Sequence, residues 1–310
     1  MKICMVGLGS IGKRHIKNVS RLLKERKVEY TIDALRSSER KLPEEINELL
    51  NQEYFSYDGL PEDYDVIFIT NPTSEHYTAI EKLSKKARAM FIEKPLFSQS
   101  GIKIPELPPT GIYYVACPLR HQAVIQYVKE ELDKGEAVFA ARAISSSYLP
   151  EWRKGVDYRT TYSANRKLGG GVTLDLIHEW DYLTYLFGMP KKLMHLEGHY
   201  SDLEMDCEDA SLYMADYGNV TIEVHLDYYG RFTERRLELY CKEYRMDVDL
   251  IQNTVAYKSM DPDKNRLITF PQEDIHLNEI NYFLDLLEGK KENMNTVAHA
   301  KDVLDLVLQK

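Results

Sequence analysis

The chain has 310 residues, 44% hydrophobic and 29% charged, ordinary proportions for a globular protein long enough to form two domains. Its formal net charge of −9 argues against nucleic acid or an acidic membrane surface as partner, while leaving room for a local basic pocket that binds phosphate. No run approaches the ~18 consecutive apolar residues of a membrane span.

The first third alternates strand and helix signals. "KICMVGL" (2–8) is a short apolar run suited to a strand buried on both faces. Residues 10–27 follow with Ile11, Ile16, Val19, Leu22 and Leu23 at a helical period. Further strands are expected at 28–36, 64–72 and 87–96, with a helix over 74–87. That alternation implies βαβ units and a parallel sheet. It breaks at "SQSGIKIPELPPTG" (98–111), whose prolines and glycines make a loop. A strand (112–119) and a helix (121–135) come next. From 137 onward the segments 137–149, 192–201, 209–218, 219–230, 234–242 and 244–253 alternate in polarity and are rich in β-branched residues and tyrosine. These are the marks of a largely antiparallel sheet. Helices over 278–290 and 296–310 close the chain. The strand-like start leaves no room for a secretory signal. Cys4, Cys117, Cys207 and Cys241 are too dispersed for a zinc site or a disulfide framework and read as thiols of a reducing compartment. A cytoplasmic protein is expected.

"VGLGSIG" sets Gly7, Gly9 and Gly12 in a G-x-G-x-x-G between a strand and a helix, the context in which this pattern binds a dinucleotide. Gly7 permits the turn, Gly9 lets the backbone approach a pyrophosphate, and Gly12 lets helix and strand pack closely. The first helical residues, Ser10 and Ile11, then present N–H groups to the phosphates. An acidic residue at the end of the second strand would bind the ribose hydroxyls of NAD. Asp33 lies inside that strand, whereas its end carries Arg36, Ser37 and Ser38. A guanidinium beside two hydroxyls suits a 2′-phosphate, which favours NADP over NAD. The alternative is an Arg36 stacked on the adenine or turned to solvent.

"FIEKPL" ends the fourth strand, where open α/β sheets bind ligands. A lysine held there by Pro95 can donate to a substrate oxygen and stabilise charge developing on it. Taken alone, Lys94 paired with Glu93 at the surface explains the motif equally well. With "GLGSIGKRH", "TNPTSEHY" and "GGGVTLDLIHEWDYL" in this order, however, nearly the whole chain resembles the Gfo/Idh/MocA oxidoreductases, the glucose–fructose oxidoreductase and inositol dehydrogenase group. The resemblance implies an α/β protein with an N-terminal Rossmann NAD(P)-binding domain (1–120). A C-terminal α+β domain (121–310) with a large, mostly antiparallel open sheet would follow, its last helix a candidate to return to the first domain. It implies a homodimer or homotetramer formed through that sheet. It also implies hydride exchange between a nicotinamide cofactor and a secondary alcohol or ketone of a sugar, an inositol or a sugar-derived compound. Lys94 becomes catalytic, with Pro95 cis after it, while Glu93, Asn71, Pro72, Thr73, His76 and Arg120 fall on the cofactor side. Two departures stand out. The helix that usually follows the lysine strand is replaced by the loop 98–111. The family aspartate four residues before the catalytic histidine falls on Leu174, with Asp175 one residue later.

If residues 172–184 form one helix, Leu176, Ile177, Trp180 and Leu183 share one face while Asp175, His178, Glu179 and Asp181 share the other. A half-buried helix with a solvated polar face accounts for that pattern alone. Gly169, Gly170 and Gly171 directly ahead carry an entropic cost, which points to close approach by a ligand or strand. His178 is the natural general base near neutral pH, with Asp175 or Asp181 to orient its ring. In the expected reaction His178 takes the hydroxyl proton, Lys94 hydrogen-bonds the same oxygen, and reduction reverses these steps. Residues 145–171 carry Trp152, Arg153, Tyr158, Arg159 and Tyr162. These rings and guanidiniums suit sugar faces and carboxylate or phosphate groups, so with Asp181 they are expected to hold an acidic or nucleotide-linked sugar. A structural loop pinned by aromatic packing is the other reading of them. The remaining histidines show no ligand spacing, so no metal is expected; His15 reads as a packing residue. The competing function is a dinucleotide-binding regulatory protein without catalysis. Retention of both Lys94 and His178 favours an enzyme acting on a small molecule.

Overall fold

A computed structural model describes residues 1–309 of the chain. In chain order its first elements are β1 (Lys2–Val6), α1 (Ser10–Glu25), β2 (Thr31–Leu35), α2 (Glu44–Asn47) and β3 (Gln52–Tyr54). β4 (Tyr64–Ile69), α3 (His76–Leu83), β5 (Ala87–Ile92), β6 (Ile112–Val115) and α4 (Ala123–Asp133) follow. Then come β7 (Val138–Tyr148), α5 (Val172–Asp175), α6 (His178–Phe187), β8 (Lys192–Gly198), β9 (Ala210–Asp216) and β10 (Thr221–Asp227). The last are β11 (Tyr229–Cys241), β12 (Tyr244–Asp249), β13 (Thr254–Ser259), β14 (Arg266–Thr269), α7 (Ile275–Leu287) and α8 (Val297–Val307).

Two compact units result. The first joins Met1–Pro118 to Asp274–Leu304, and the second is built on Leu119–Glu273. In the first unit six parallel strands run in the order β3-β2-β1-β4-β5-β6, the doubly wound arrangement whose strand ends hold a dinucleotide. β1, β4 and β5 are buried almost throughout, as strands covered on both faces must be. Ile3, Met5, Phe68, Phe91 and Tyr114 pack with Ile16, Val19 and Leu23 of α1 and with Ile280, Phe283 and Leu284 of α7. α7 was expected in the C-terminal domain. It belongs to this core instead, and Arg26 fixes it with ion pairs of 2.7 Å to both Asp285 and Glu288.

In the second unit eight strands run in the order β14-β13-β12-β11-β7-β10-β9-β8. All neighbours are antiparallel except β7 and β10. The pleat sorts side chains by face. Tyr213, Ile222, Val224, Leu237, Leu239, Met246 and Val248 are buried, while Met194, Leu196 and Met214 stand exposed on the other face. That open face forms a hollow of about 540 Å³ crossed by Arg142, Glu223, His225, Arg236 and Glu238. Among the described residues, no helix is long and apolar enough to cross a membrane.

Candidate active site

The glycine turn is shaped by backbone collisions. Gly7 has φ +87°, and a Cβ there would stand 2.8 Å from the Asn71 Cα. A Cβ on Gly12 would strike the Gly7 carbonyl, whereas one on Gly9 would meet nothing within 4 Å. Thr70 locks the turn by donating its hydroxyl to the Gly7 carbonyl at 2.6 Å. The residue before α1 is Gly9, which has no side chain to cap it, so the first N–H groups of the helix face the open side of Gly9 with the dipole favouring an anion. This cradle fits a pyrophosphate. Of the turn after β4, Asn71 donates to Glu75 at 3.3 Å, and Pro72 precedes the short turn that begins at Thr73. His76 is buried, its ring nitrogens facing the carbonyls of Leu96 at 3.2 Å and Asn71 at 3.0 Å. It clips the turn to the chain beyond Pro95, and burial pushes its pKa down.

At the end of β2 the structure gives Arg36 a partner that the sequence pattern did not reveal. Its guanidinium pairs with Glu53 of β3 and with the Arg40 carbonyl, 5.8 Å from the Phe55 ring. Ser37 and Ser38 are exposed beside it. Asp33 is a core residue, accepting from the Tyr64 hydroxyl at 2.8 Å and from Asn51 at 3.0 Å.

β5 leads into Glu93 and Lys94, and the Lys94–Pro95 peptide is cis. Glu93 is buried against His15 of α1 with an Nε2–Oε1 distance of 2.5 Å. Its other oxygen accepts the Lys94 backbone N–H at 3.2 Å. Lys94 itself is half-buried.

In the second unit, the expected single helix over 172–184 is two pieces, α5 and α6, joined by a tight turn at Leu176 and Ile177. The polar residues are mostly not a solvated face. Asp175, Glu179 and Asp181 are all buried; other side chains hydrogen-bond Asp175 and Asp181, and an ion pair holds Glu179. Asp175 accepts from the hydroxyls of Tyr162 at 2.5 Å, Ser163 at 2.7 Å and Tyr228 at 2.9 Å. Asp181 receives Arg120 in a bidentate pair at 2.9 and 2.8 Å, so two residues expected at substrate and cofactor are here joined to each other. Glu179 pairs with Nε of Arg235 at 2.8 Å, and burial raises its pKa against that cation. The Oε1 of Glu179 also lies 3.7 Å from His178 Nε2. Arg235 donates to that same His178 nitrogen. A guanidinium can only donate, so this contact is a hydrogen bond when the imidazole is neutral with its Nε2 lone pair free.

The three glycines answer to the chain itself. A Cβ on Gly170 would collide with the carbonyls of Tyr162, Ser163 and Asn165, and one on Gly171 (φ +114°) with the Glu208 carboxyl. Gly169, at φ +86°, ends the short turn over Arg166–Leu168. Of the loop residues, Trp152 donates to Ser147 at 2.9 Å and stands edge-on to Tyr228, ring centres 5.2 Å apart. Arg153 lies over the Tyr162 ring at 5.7 Å. Tyr158 and Arg159 engage the 204 region instead, through the Glu204 N–H and carboxylate, and Arg159 is half exposed. Sequence windows missed Ser163, Tyr228 and Arg235, because their partners lie 12, 53 and 57 residues away.

The first unit is therefore an NAD-binding Rossmann domain. Residues 1–102 match the Gfo/Idh/MocA family, described as an oxidoreductase family with an NAD-binding Rossmann fold. The chain is 25% identical to scyllo-inositol 2-dehydrogenase (NAD(+)) of Bacillus subtilis over 229 residues, 71% of this chain and 61% of that protein. It thus spans less than two thirds of this curated relative. Its whole fold is shared with a UDP-N-acetylglucosamine 3-dehydrogenase from Acidithiobacillus ferrooxidans (18% identity, TM-score 0.75, 100% of this chain and 96% of that one). A levoglucosan dehydrogenase solved with NADH and levoglucosan shares it too (13% identity, TM-score 0.82, 100% and 96%).

Proposed function

We propose that this protein is an NAD(P)-dependent dehydrogenase or reductase acting on a secondary alcohol or ketone of a sugar, an inositol or a sugar derivative. The observation that carries the reading is the uncapped glycine turn at α1, lying within residues that match an NAD-binding oxidoreductase domain. The relatives support the substrate class, since those named above act on an inositol, an anhydrosugar or a nucleotide sugar by their names. Gly7, Gly9, Ser10, Ile11 and Gly12 hold the pyrophosphate, and hydride exchange is the chemistry that a bound nicotinamide supplies. His178 takes the hydroxyl proton in oxidation, the substrate hydroxyl replacing the Arg235 donor on Nε2, and returns it in reduction. Lys94 hydrogen-bonds the same oxygen and stabilises its partial charge. Asp175 holds Tyr162, Ser163 and Tyr228 just ahead of His178 and is assigned to positioning. Arg153 and Trp152, beside that group, are assigned to an acidic or nucleotide-linked substituent.

NADP is the assigned cofactor, on Arg36, Ser37 and Ser38. The apolar residues on the open face of the second unit's sheet, Met194, Leu196 and Met214, support self-association of that face into a dimer or tetramer. Four free cysteines support a reducing, cytoplasmic setting.

The test is nicotinamide absorbance with a panel of inositols, sugars and nucleotide sugars. Lys94→Met and His178→Ala should each lower kcat by roughly 10²–10⁴-fold with cofactor affinity intact. Tight NAD(P)H binding without turnover on any member of the panel would instead indicate a regulatory binding protein.

A further inference from the structure

The His15–Glu93 pair is a buried charged group that the proposed chemistry leaves unused. His15 is fully buried on α1, three residues past Gly12, and Glu93 is 8% exposed at the end of β5. The carboxylate bridges two partners, with His15 Nε2 at 2.5 Å on one oxygen and the Lys94 backbone N–H at 3.2 Å on the other. Around the imidazole stand Phe91 and Phe68, ring centres 5.0 and 6.2 Å away, and His276 at 6.0 Å. Removing a carboxylate from water into such surroundings is strongly unfavourable unless a paired group compensates it. His15 supplies that compensation first, with the charge of Lys94 behind it, and together they hold the Glu93 pKa below the usual range against its burial. His15 Nδ1 has no hydrogen-bond partner among the described residues. The ring's polar contact is thus spent on Glu93, a poor bargain for a residue that only fills space.

We propose that His15 is a positioning residue, which acts through Glu93 to fix the place and charge environment of Lys94. The inference rests on the catalytic reading of Lys94. Without His15, Glu93 has two ways to relieve its buried charge: take up a proton, or draw the Lys94 ammonium onto itself. Either moves the group that must meet the substrate oxygen. The strut starts on the helix whose first turn receives the dinucleotide phosphates, so it ties the lysine's position to the same element that seats the cofactor.

The experiment compares His15→Phe, His15→Gln and Glu93→Gln with Lys94→Met in the full chain. His15→Phe should lower kcat roughly 10- to 100-fold, the cost of a misplaced catalytic group, while NADH and NADPH affinities from fluorescence titration stay within about threefold. His15→Gln keeps an N–H for Glu93 and should recover most of the loss, and Glu93→Gln should resemble His15→Phe. A second readout needs no cofactor. Acylation of Lys94 by an amine-reactive ester, followed by mass spectrometry, should change severalfold in His15→Phe and return with His15→Gln. Unchanged kcat and Lys94 reactivity in His15→Phe, or equal losses in His15→Phe and His15→Gln, would overturn the proposal while leaving the catalytic reading intact. If Lys94→Met keeps full kcat, the catalytic reading fails, and this inference with it. Should His15→Phe not fold, His15→Gln and Glu93→Gln decide: wild-type kcat in Glu93→Gln sinks the strut.

Discussion

The glycine turn and the stretch from Gly169 to Phe187 both set glycines ahead of a helix, yet they are built on opposite principles. At Gly9 the backbone is open and α1 is uncapped, so the polar groups on offer are main-chain N–H groups waiting for an anion. At Gly170 and Gly171 the space is filled by the chain's own carbonyls and by Glu208, and the carboxylates that follow are engaged by Arg120, Arg235 and three hydroxyls. The same residue type thus serves to leave room for a ligand in one place and to let the protein close on itself in the other. Glycine-rich sequence alone does not distinguish the two. The occupancy of the space in front of it does.

If the first region works through backbone shape, a single added side chain should disable it. Gly12→Val forces a Cβ group against the Gly7 carbonyl and should weaken dinucleotide binding at least ~100-fold, as a misfit of about an ångström at a tight site does. Near-normal NADH titration in this variant would break the comparison. If the second region is self-satisfied, removing one of its carboxylates should register as lost stability. Asp175→Ala strands the hydroxyls of Tyr162, Ser163 and Tyr228 and should cost about 2–3 kcal/mol, read from the urea midpoint.

One part of the first region behaves like the second. Arg36 is neutralised by Glu53, so a 2′-phosphate meets a carboxylate as well as a guanidinium. Glu53→Gln should raise the affinity ratio of NADPH over NADH by about tenfold, in line with the loss of one close like-charge contact. An unmoved ratio would separate Arg36 from cofactor choice.

The smallest effect expected is one of pH. Burial lowers the His276 pKa from 6.5 to about 4, so the unfolded chain binds this proton more readily than the folded one. The stability linked to this group is therefore fully present above pH 6.5 and is lost as pH falls toward 4. His276→Gln should remove part of that slope, a shift of a few degrees in Tm at pH 5 relative to pH 7.5 by order of magnitude.

What sequence could reveal divides along the same line. The turn at Gly7–Gly12 was legible because its glycine spacing lies within six residues, although the collision that requires Gly7 is with distant Asn71. The parallel sheet was legible because strand and helix periods alternate in sequence. The two-piece α5–α6 was not legible, since hydrophobic spacing continues unbroken through Leu176 and Ile177 while the backbone does not. β13 and β14 were missed at the end of the second sheet, as were the short α2 and β3. Edge strands are identified by the neighbour they join more than by their own composition. Asp33, read from the sequence as lying inside the second strand, is held there by Tyr64 and Asn51.

The placement of α7 has a consequence for how the protein is made. Ile280, Phe283 and Leu284 complete a core begun by Ile3 and Met5, so on the ribosome the first sheet emerges long before the helix that seals it. Through the synthesis of all the strands of the second sheet, that apolar face lacks its cover. The domain started first is finished last, and a chain cut short before residue 275 would lose its dinucleotide cradle through an unsealed core without a single change in the cradle itself.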